Sequence, residues 1–298
     1  MSAISASHAS TLAPDIVPRE KLDFGLDGDI PRYWFGGHPY KTRFFDAMST
    51  LFPEGERFFI TCVRDFRDRC TDPKLLEDIK HFIRQEGQHG MIHNQFNDRL
   101  KEQGIDVDML ERIQRHVGFD LPRKMHSREF TLALTAAAEH MTAIMAHSFF
   151  ERRDVMEQAD PRMRAMYAWH AMEEVEHKGV AFDVMQQVAK VGYFKRIGAM
   201  LMVSVLFPVH TFLIVNYMLK VDGYSRWQRF KLWTQGLWWL YKPGGLFSSV
   251  LGHYAAYYKP GYHPWEAGQM ASYKLWVDTF NRTGDPILAG EAVHAAAR

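Results

Sequence analysis

The chain has 298 residues, enough for one large domain or two modest ones with a well-formed core. Its 36 basic residues nearly balance its 35 acidic ones, which removes the electrostatic argument for nucleic acid as a partner. The 15 His, 21 Phe, 12 Tyr and 8 Trp indicate metal or proton chemistry together with an apolar pocket or a membrane face.

The first 30 residues, which open MSAISASHAS, lack both a basic start and an apolar run long enough for a secretory signal. They are predicted to form a flexible N-terminal arm, and the protein is predicted to be cytoplasmic. Residues 16–40 are dense in proline and glycine, which favours a segment that wraps the rest of the chain without long helices.

Helical periodicity dominates the chain after this arm. The predicted helices cover, in order, 41–52, a segment that begins at Pro53, 73–103, 127–153 and 161–191, with a looser stretch between 104 and 122. No β-alternation of useful length interrupts these patterns. Long helices with modest connections predict an all-α bundle over residues 31–192.

The stretch AWHAMEEVEHKGVAFD, residues 168–183, concentrates acids and histidines between apolar residues. On a helix His170, Glu174 and His177 project from one face, because positions i, i+4 and i+7 lie close together around the axis. They form H-x-x-x-E-x-x-H, with E-x-x-H nested inside it. Glu173 and Glu176 are rotated away and are predicted to meet solvent or to support the ligands from outside.

The third predicted helix repeats this motif. In FIRQEGQHGMIH, Glu86 and His89 form another E-x-x-H, and His93 follows one turn later on the same side. Gly87 and Gly90, which each cost a helix roughly 1 kcal/mol relative to Ala, favour close approach of a neighbouring helix or of a substrate.

Single inward-facing glutamates are predicted on two other helices. Glu56 lies in FPEGERFF, and Glu139 lies in the alanine-rich LALTAAAEHMTA, where a lone charge is costly to bury unless it is paired or bound to a cation. Two E-x-x-H helices plus one glutamate from each of two others is the ligand pattern of carboxylate-bridged di-metal bundles. The sequence therefore predicts two iron ions, or alternatively manganese or a mixed pair, in preference to solvated helix faces.

Several further polar residues are predicted near this centre. His170 is either a core histidine beside Trp169 or a third nitrogen ligand, and His93 is a candidate for a hydrogen bond to a ligand. His140 is predicted to point away. Outer hydrogen bonds are expected from Arg57, Arg64, Asp65 and Asp183.

These motifs resemble those of the ferritin-like di-metal superfamily and, more narrowly, of the bacterial family of predicted metal-dependent hydrolases, through FPEGERFF, RQEGQHGMIHN, AAAEHMTA and WHAMEEVEHKGVAFD. The resemblance covers about residues 30–270 and implies a ferritin-like four-helix bundle with a di-metal centre. The H-x-x-x-E-x-x-H spacing is also similar to that of the non-haem di-iron N-oxygenase that oxidises p-aminobenzoate, where an additional histidine joins the ligands. Together these resemblances imply metal ligands, but no catalytic residues beyond them, at Glu56, Glu86, His89, Glu139, His170, Glu174 and His177.

An apolar, aromatic helical extension is predicted over residues 193–280, followed by a flexible tail over 281–298. Residues 198–219 carry no formal charge and just reach the length that a bilayer-spanning helix needs, although Pro208 and His210 weaken that interpretation. The segment that follows mixes Trp, Tyr, Arg and Lys in the manner of an interfacial anchor. Residues 198–258 are therefore predicted to contact the cytoplasmic face of the inner membrane. The alternative is that their helices cover the bundle, line a substrate tunnel or form a homodimer contact.

The ligand set favours a non-haem di-iron oxidoreductase, an oxygenase or oxidase that activates O2 to oxidise a small, apolar or lipid-like substrate with the help of an electron donor. The first alternative is a metal-dependent hydrolase, in which a hydroxide between the cations attacks an ester, amide or phosphoryl centre. The second is a non-catalytic iron-binding or ferroxidase bundle. The apolar extension disfavours this alternative, because such an extension has no role in a closed iron-storage shell.

Overall fold

The computed structural model describes residues 14–268 and 270–297 of the chain. Within these residues the chain is helical and has no β-sheet, only an isolated bridge between Phe35 and Ala159. The predicted all-α bundle is confirmed. Residues 1–13 of the predicted N-terminal arm lie outside the described residues.

The helices are, in chain order, α1 Pro39–Arg67, α2 Pro73–Glu102, α3 Val107–Gln114, α4 Leu121–Met125, α5 Arg128–Phe150, α6 Arg153–Met156, α7 Pro161–His177, α8 Val180–Asp183, α9 Tyr193–Val221, α10 Arg226–Tyr241, α11 Leu251–Ala256, α12 Ala271–Thr283 and α13 Pro286–Ala296. Single π-helical turns extend α3 and α8, at Arg115–Asp120 and Val184–Val188. Short 3-10 turns lie at Ser248–Val250 and Pro264–Ala267. The stretch 104–122 is therefore mostly helical, and the expectation of a looser connection there was wrong.

Helix α1 runs without a break for 29 residues through Pro53, where two helices were predicted. A proline inside a helix leaves the carbonyl four residues earlier without its backbone donor. That carbonyl belongs to Ser49, and the side-chain amide of Asn97 on α2 donates to it at 3.1 Å. The prediction that Pro53 begins a new helix was wrong because the neighbouring helix supplies the missing hydrogen bond.

The last predicted bundle helix is interrupted. Helix α7 ends at His177, and α8 begins at Val180. Gly179 lies in the break, and a Cβ at this position would be 2.5 Å from the indole nitrogen of Trp265. Only glycine allows that close approach. The break in the helix therefore lets the 264–267 turn pack directly after His177.

Four long helices form the bundle: α1 packs on α2, α2 on α7, α7 on α5, and α5 on α1. Their apolar side chains divide into two buried clusters, one on each side of a polar layer. On α1, for example, Leu51 belongs to one cluster and Phe58 to the other, and Glu56 lies between them. The polar side chains predicted to bind metal are therefore held between two dry apolar layers.

Helix α9 packs along α5 and α1 and brings the C-terminal extension onto the bundle. A buried ion pair fixes its end, where the guanidinium of Arg43 on α1 lies 2.6 Å from Asp222. Among the described residues, α9 is the helix that is long and apolar enough to cross a membrane, judged by length and composition alone.

The end of the chain differs from the predicted flexible tail. Asp285 caps α13 by accepting a hydrogen bond of 2.8 Å from the backbone of Ile287. Helix α13 packs on α7, and a Cβ added at Gly290 would lie 2.8 Å from Cα of Ala165. The small residues that make this segment look like a weak tail allow it to pack backbone to backbone.

Candidate metal centre

The two helices that carry the E-x-x-H motifs begin in the same way. Asp72 caps α2 and Asp160 caps α7, and each is followed by a proline in the first helical turn. These signals fix where each helix starts, and therefore which side of it faces the bundle core. The face of α2 that enters the core carries Glu86 and His89, both fully or almost fully buried.

The structure brings all of the predicted ligands together in the polar layer between the apolar clusters. None of them is more than 5 % exposed, and they are Glu56, Glu86, His89, Glu139, His170, Glu174 and His177. Buried ionisable side chains at this density need partners or cations, since an isolated buried charge is strongly unfavourable. The alternative of solvated helix faces is excluded by their burial.

Four groups of three side chains could each hold a metal ion: Glu56, His93 and His170; His89, His170 and Glu174; and two groups that contain Glu86. One of the latter two consists of Glu56, Glu86 and His89, and the other of Glu86, Glu139 and His177, with the ligand atoms of each group within 4.8 Å of one another. Glu86 belongs to both of these groups. Its carboxylate would therefore be available to a cation held by either group.

Glu174 occupies a central place in the cluster. Its Oε1 lies 3.0 Å from Nε2 of His170, 3.6 Å from Nε2 of His177 and 3.7 Å from Nδ1 of His89. Its other oxygen accepts a short hydrogen bond from the hydroxyl of Thr142. One oxygen thus faces three imidazoles while the other is fixed from α5.

Buried polar atoms without partners mark this cluster. Both carboxylate oxygens of Glu56, Glu86 and Glu139 lack a partner in hydrogen-bond geometry, as do Nδ1 of His89 and Nε2 of His177. Nε2 of His177 nevertheless lies 3.0 Å from Glu86 and 3.3 Å from Glu139. Nearly all buried polar groups in folded proteins are satisfied, so this concentration of orphaned atoms requires an explanation. Carboxylate oxygens and imidazole nitrogens are the donors that iron, manganese and zinc accept. The residues present therefore fit a bound metal.

Burial and mutual repulsion act on the carboxyl groups of the metal-free cluster. Burial first, and then the charges of neighbouring glutamates, raise the pKa values of Glu56 and Glu86 well above their usual range. Burial and the charge of Glu174 raise the pKa of Glu139 to about 7. The cluster therefore favours bound positive charge, supplied by protons or by a cation.

Glu174 and His177 carry opposite charges in the absence of metal. Burial alone would raise the pKa of Glu174, but the charge of His177 holds it well below its usual range. Burial opposes the charged form of His177, yet Glu139 and Glu174 raise its pKa well above the usual value. A cation bound here would take the place of the proton on His177.

Outer hydrogen bonds decide which imidazole nitrogen faces the cluster. Oε2 of Glu173 lies 3.2 Å from Nε2 of His89, which places the ring proton on Nε2 and leaves Nδ1 free. Oε1 of Gln85 lies 3.0 Å from Nδ1 of His177, which leaves Nε2 free. Partners of this kind orient metal-binding histidines and increase their basicity.

Arg19, in the segment before α1, supports this arrangement from behind. Its guanidinium lies 3.1 Å from Glu173 and 2.7 Å from Glu176, and all three side chains are buried. Glu176 also accepts hydrogen bonds of 2.7 Å from the amide of Gln85 and from the hydroxyl of Tyr273. The histidine on α2 and the histidine on α7 are thus oriented through one buried network.

His170 is oriented by a chain of hydrogen bonds. The hydroxyl of Ser49 donates to Asn97 at 2.9 Å, so it accepts from Nδ1 of His93 at 2.8 Å. Nε2 of His93 then accepts from Nδ1 of His170 at 2.7 Å. Nε2 of His170 is left without a proton and faces Glu174. This geometry suits a third nitrogen ligand better than a core histidine.

The prediction of four of the outer residues was wrong. These four lie elsewhere: Arg57 pairs with Glu54, Asp65 with Arg123 and Asp183 with His263, and Arg64 is exposed. The actual supports, Gln85 and Glu173, each directly precede a predicted ligand. Support from outside was one of the two alternatives predicted for Glu173, and the structure shows it. Gln85 was missed, and its position directly before Glu86 is the sequence signal that could have identified it.

An apolar cavity of about 400 Å³ reaches the cluster. Its wall is built by α1, α3, α5 and α9 and includes Glu56 and Thr142 from the polar layer. The titratable side chains in this wall are Glu56 and His210, and burial lowers the pKa of His210. The cavity therefore offers an apolar binding volume with a neutral imidazole and an end at the candidate metal centre.

A second opening lies between α1 and α2. This cavity, of about 340 Å³, is lined by Pro53, Arg57, Glu86, Gly87 and Gly90, among others. A Cβ at position 90 would be 3.1 Å from Oε2 of Glu56. The glycine prevents α2 from crowding the carboxylates, in agreement with the close approach that its place in the motif predicted.

The fold and the site define an all-α helical bundle with buried His/Glu clusters that could hold metal. The family model described as predicted metal-dependent hydrolase matches residues 18–268, so the chain belongs to that family. Comparison with curated proteins and with solved structures gave no match. Membership confirms the resemblance to this family that the motifs indicated. The family description is that of a metal-dependent enzyme, and it agrees with hydrolysis better than with oxidation.

Proposed function

We propose that the protein is a metal-dependent hydrolase that acts on a small, apolar ester or amide bound in the cavity beside Glu56. The orphaned buried carboxylates and imidazoles support the metal requirement, and the family description supports hydrolysis. The cavity volume of about 400 Å³ lies within the usual range of small-molecule sites.

Two cations fit the proposed ligand set. Glu56, His89 and His170 would hold one cation, Glu139 and His177 would hold the other, and Glu86 and Glu174, each of which is near members of both sets, would contribute to either. Bound divalent cations supply Lewis acidity and lower the pKa of an attacking water. Iron, manganese or a mixed pair is the proposed metal content, since this set is rich in carboxylates.

The chain's own residues position the reactants. Thr142 fixes one oxygen of Glu174, and the apolar layers above and below the cluster exclude bulk water. The cavity wall binds the apolar part of the substrate. Burial keeps His210 neutral, so its imidazole can exchange a hydrogen bond with a polar group of the substrate.

Hydrolysis is tested with protein loaded with iron or manganese and with the same protein after chelation. We expect turnover of chromogenic acyl or aryl esters by the loaded protein only. Ala138→Phe, which fills the cavity, should abolish turnover while metal content is kept, whereas Ala295→Phe, at an exposed position of α13, should change neither. Equal turnover after complete metal removal would refute the proposal.

The ligand assignment has its own test. Glu139→Ala and Glu174→Ala should lose bound metal, measured by elemental analysis, while the far-UV helix signal persists. Stoichiometric metal in both variants would show that the cations bind elsewhere.

An O2-activating oxidoreductase is the second candidate. The specific observation in its favour is that four buried glutamates accompany the histidines, because redox iron suits a carboxylate-rich site. Anaerobic reduction of the iron-loaded protein followed by admission of O2 separates the two functions. Oxygen uptake with an optical transient, together with no ester turnover, would favour the oxidoreductase over the hydrolase.

A further inference from the structure

The C-terminal extension exposes a large apolar surface on α9 and α10. On α9 the exposed side chains follow one face, at Leu201, Val205, Val209 and Leu213. On α10 the exposed aromatic side chains are Trp227, Phe230, Trp238 and Tyr241. Leu213, Trp227 and Trp238 are 64 %, 63 % and 66 % exposed. We call this set of residues the apolar face.

Neighbouring helices α9 and α10 pack together through Phe212 and Trp233, whose rings lie 5.3 Å apart. The apolar face is therefore shared by two adjoining helices. Contiguous apolar surface of this kind on a folded protein marks a site of interaction with another molecule or with a membrane.

The segment that carries this face has exposed charges of one sign. Between residues 184 and 265 the sequence contains nine Lys or Arg residues and one acidic residue, Asp222. The Asp222 side chain is 0 % exposed and is paired with Arg43. Exposed basic residues such as Arg226 and Lys231 therefore meet no exposed acid from this segment. Such a surface is complementary to anionic lipid headgroups.

Helix α9 lies along the bundle and does not stand apart from it. Only 22 % of its most apolar window is buried, but the buried side chains, which include Met200, Ile214 and Met218, pack against the bundle helices. Packed along the bundle in this way, α9 is not placed to cross a bilayer on its own. Its composition and its one free face suit a helix that lies in the membrane interface.

The apolar cavity opens onto this face. Val209 and Leu213 line the cavity and are also exposed on α9, as is Leu206. On the opposite rim, Ile113 and Val117 line the cavity and are exposed too. A molecule that leaves an apolar phase at this surface can reach Glu56 without crossing polar protein surface.

We propose that the apolar face docks on an anionic lipid bilayer, with α9 and α10 lying in the interface and the cavity mouth open to the acyl chains. The class of substrate that follows, a lipid-soluble ester or amide, rests on the proposed function, whereas the docking does not. A second copy of the chain fits this face poorly. A two-fold contact would bring the same basic residues of both copies together.

Docking is tested by co-sedimentation of the full chain with vesicles of phosphatidylglycerol and phosphatidylcholine, and with vesicles of phosphatidylcholine alone. We expect binding to the anionic vesicles that weakens as salt is raised. Arg226→Gln combined with Lys231→Gln should weaken it roughly 30-fold. Trp227→Ser combined with Trp238→Ser should weaken it on both kinds of vesicle.

Matched controls lie on the far helices of the chain. Arg282→Gln and Leu288→Ser remove an exposed basic and an exposed apolar side chain outside the extension and should leave vesicle binding unchanged. Chelated protein should bind as well as loaded protein, which separates docking from the hydrolase proposal. Absence of binding to anionic vesicles, with a dimer in sedimentation equilibrium, would overturn the proposal in favour of self-association. Extraction by detergent but not by high salt or alkali would overturn it in favour of a spanning helix.

Discussion

Oε2 of Glu173 lies 3.2 Å from Nε2 of His89, on the opposite side of the imidazole from Nδ1, which faces Glu174 at 3.7 Å. The carboxylate therefore selects the tautomer in which the free nitrogen points into the cluster. Glu173 is itself held by the guanidinium of Arg19. Glu173, which was predicted either to meet solvent or to support the ligands from outside, thus takes the second role and determines which nitrogen of His89 can bind metal.

Removal of this carboxylate should weaken the metal site without unfolding the bundle. For Glu173→Gln we expect metal affinity to fall by about tenfold or more, because the neutral amide holds the His89 proton less firmly. Competition with a chromogenic chelator measures the change. Glu102→Gln, at the exposed end of α2, is the control. Unchanged affinity in Glu173→Gln would show that Glu173 does not orient the ligand.

The carboxylates of the cluster should destabilise the protein when no metal is bound. Glu56 is buried, both of its oxygens lack partners, and its pKa is raised by burial and by its neighbours. Glu56→Gln removes the ionisable group and its repulsion with the neighbouring carboxylates, so the free energy of unfolding of the chelated protein should rise by about 1–2 kcal/mol at pH 8. Urea unfolding with and without metal provides the measurement.

The same variant should gain less stability from added metal than the wild type does. Glu77→Gln, an exposed glutamate on α2, should change neither quantity. A chelated Glu56→Gln protein that is less stable than wild type, and that keeps the full stabilisation by metal, would contradict the assignment of Glu56 to the centre.

Metal-free protein should lose stability as the pH rises from 6.5 to 8. Burial raises the pKa values of Glu56, Glu86 and Glu139, and the neighbouring glutamates raise that of His177 against the effect of burial. A raised folded pKa gives stability that is complete below the unfolded pKa and is lost as the pH rises through the folded value. Titration of each of these groups therefore lowers the free energy of unfolding as the pH rises from 6.5 to 8.

Groups with lowered pKa values act outside that window. Burial lowers the pKa values of His89 and His93 below 6.5. Through these two groups the protein therefore loses stability only as the pH falls below 6.5. Burial lowers the pKa of Lys178 to about 8, so its effect begins above that pH. Thermal unfolding of chelated protein should show a midpoint that falls by a few degrees between pH 6.5 and 8. Saturating metal should remove most of this slope, and an identical slope with metal would contradict the prediction.

Packing of the terminal helix gives a prediction about stability alone. A Cβ at Gly290 would lie 2.8 Å from the backbone of Ala165, so Gly290→Ala should destabilise the protein by about 1–3 kcal/mol in urea. Gly252→Ala on α11 meets nothing within 4 Å and should be neutral or stabilising by up to about 1 kcal/mol. Equal effects of the two substitutions would show that α13 does not pack on α7 in solution.

The all-α class and the gathering of the motif residues could be predicted because both follow from local spacing. An E-x-x-H pair faces one way on any helix, so Glu86 and His89 had to share a side. Helix ends were predictable where capping chemistry marks them, as at Asp72 and Pro73. The assignment of each ligand to a particular cation stays a prediction.

Features that depend on distant partners could not be predicted. Pro53 remains inside a helix because Asn97, 44 positions later, satisfies the carbonyl of Ser49. Arg19 reaches Glu173 across 154 positions, and nothing in the sequence around it indicates that contact. The helical end of the chain depends on the close contact at Gly290, which only the folded neighbour reveals.

The segment before α1 thereby acquires a role that its composition conceals. Arg19 is connected to the bundle through residues 20–38, in which the described chain forms no helix. A protease that cuts within that stretch would release Arg19 and leave the buried carboxylates of Glu173 and Glu176 without their guanidinium partner. Protein that has lost this segment should therefore be recovered without bound metal, and loss of metal would report loss of the segment.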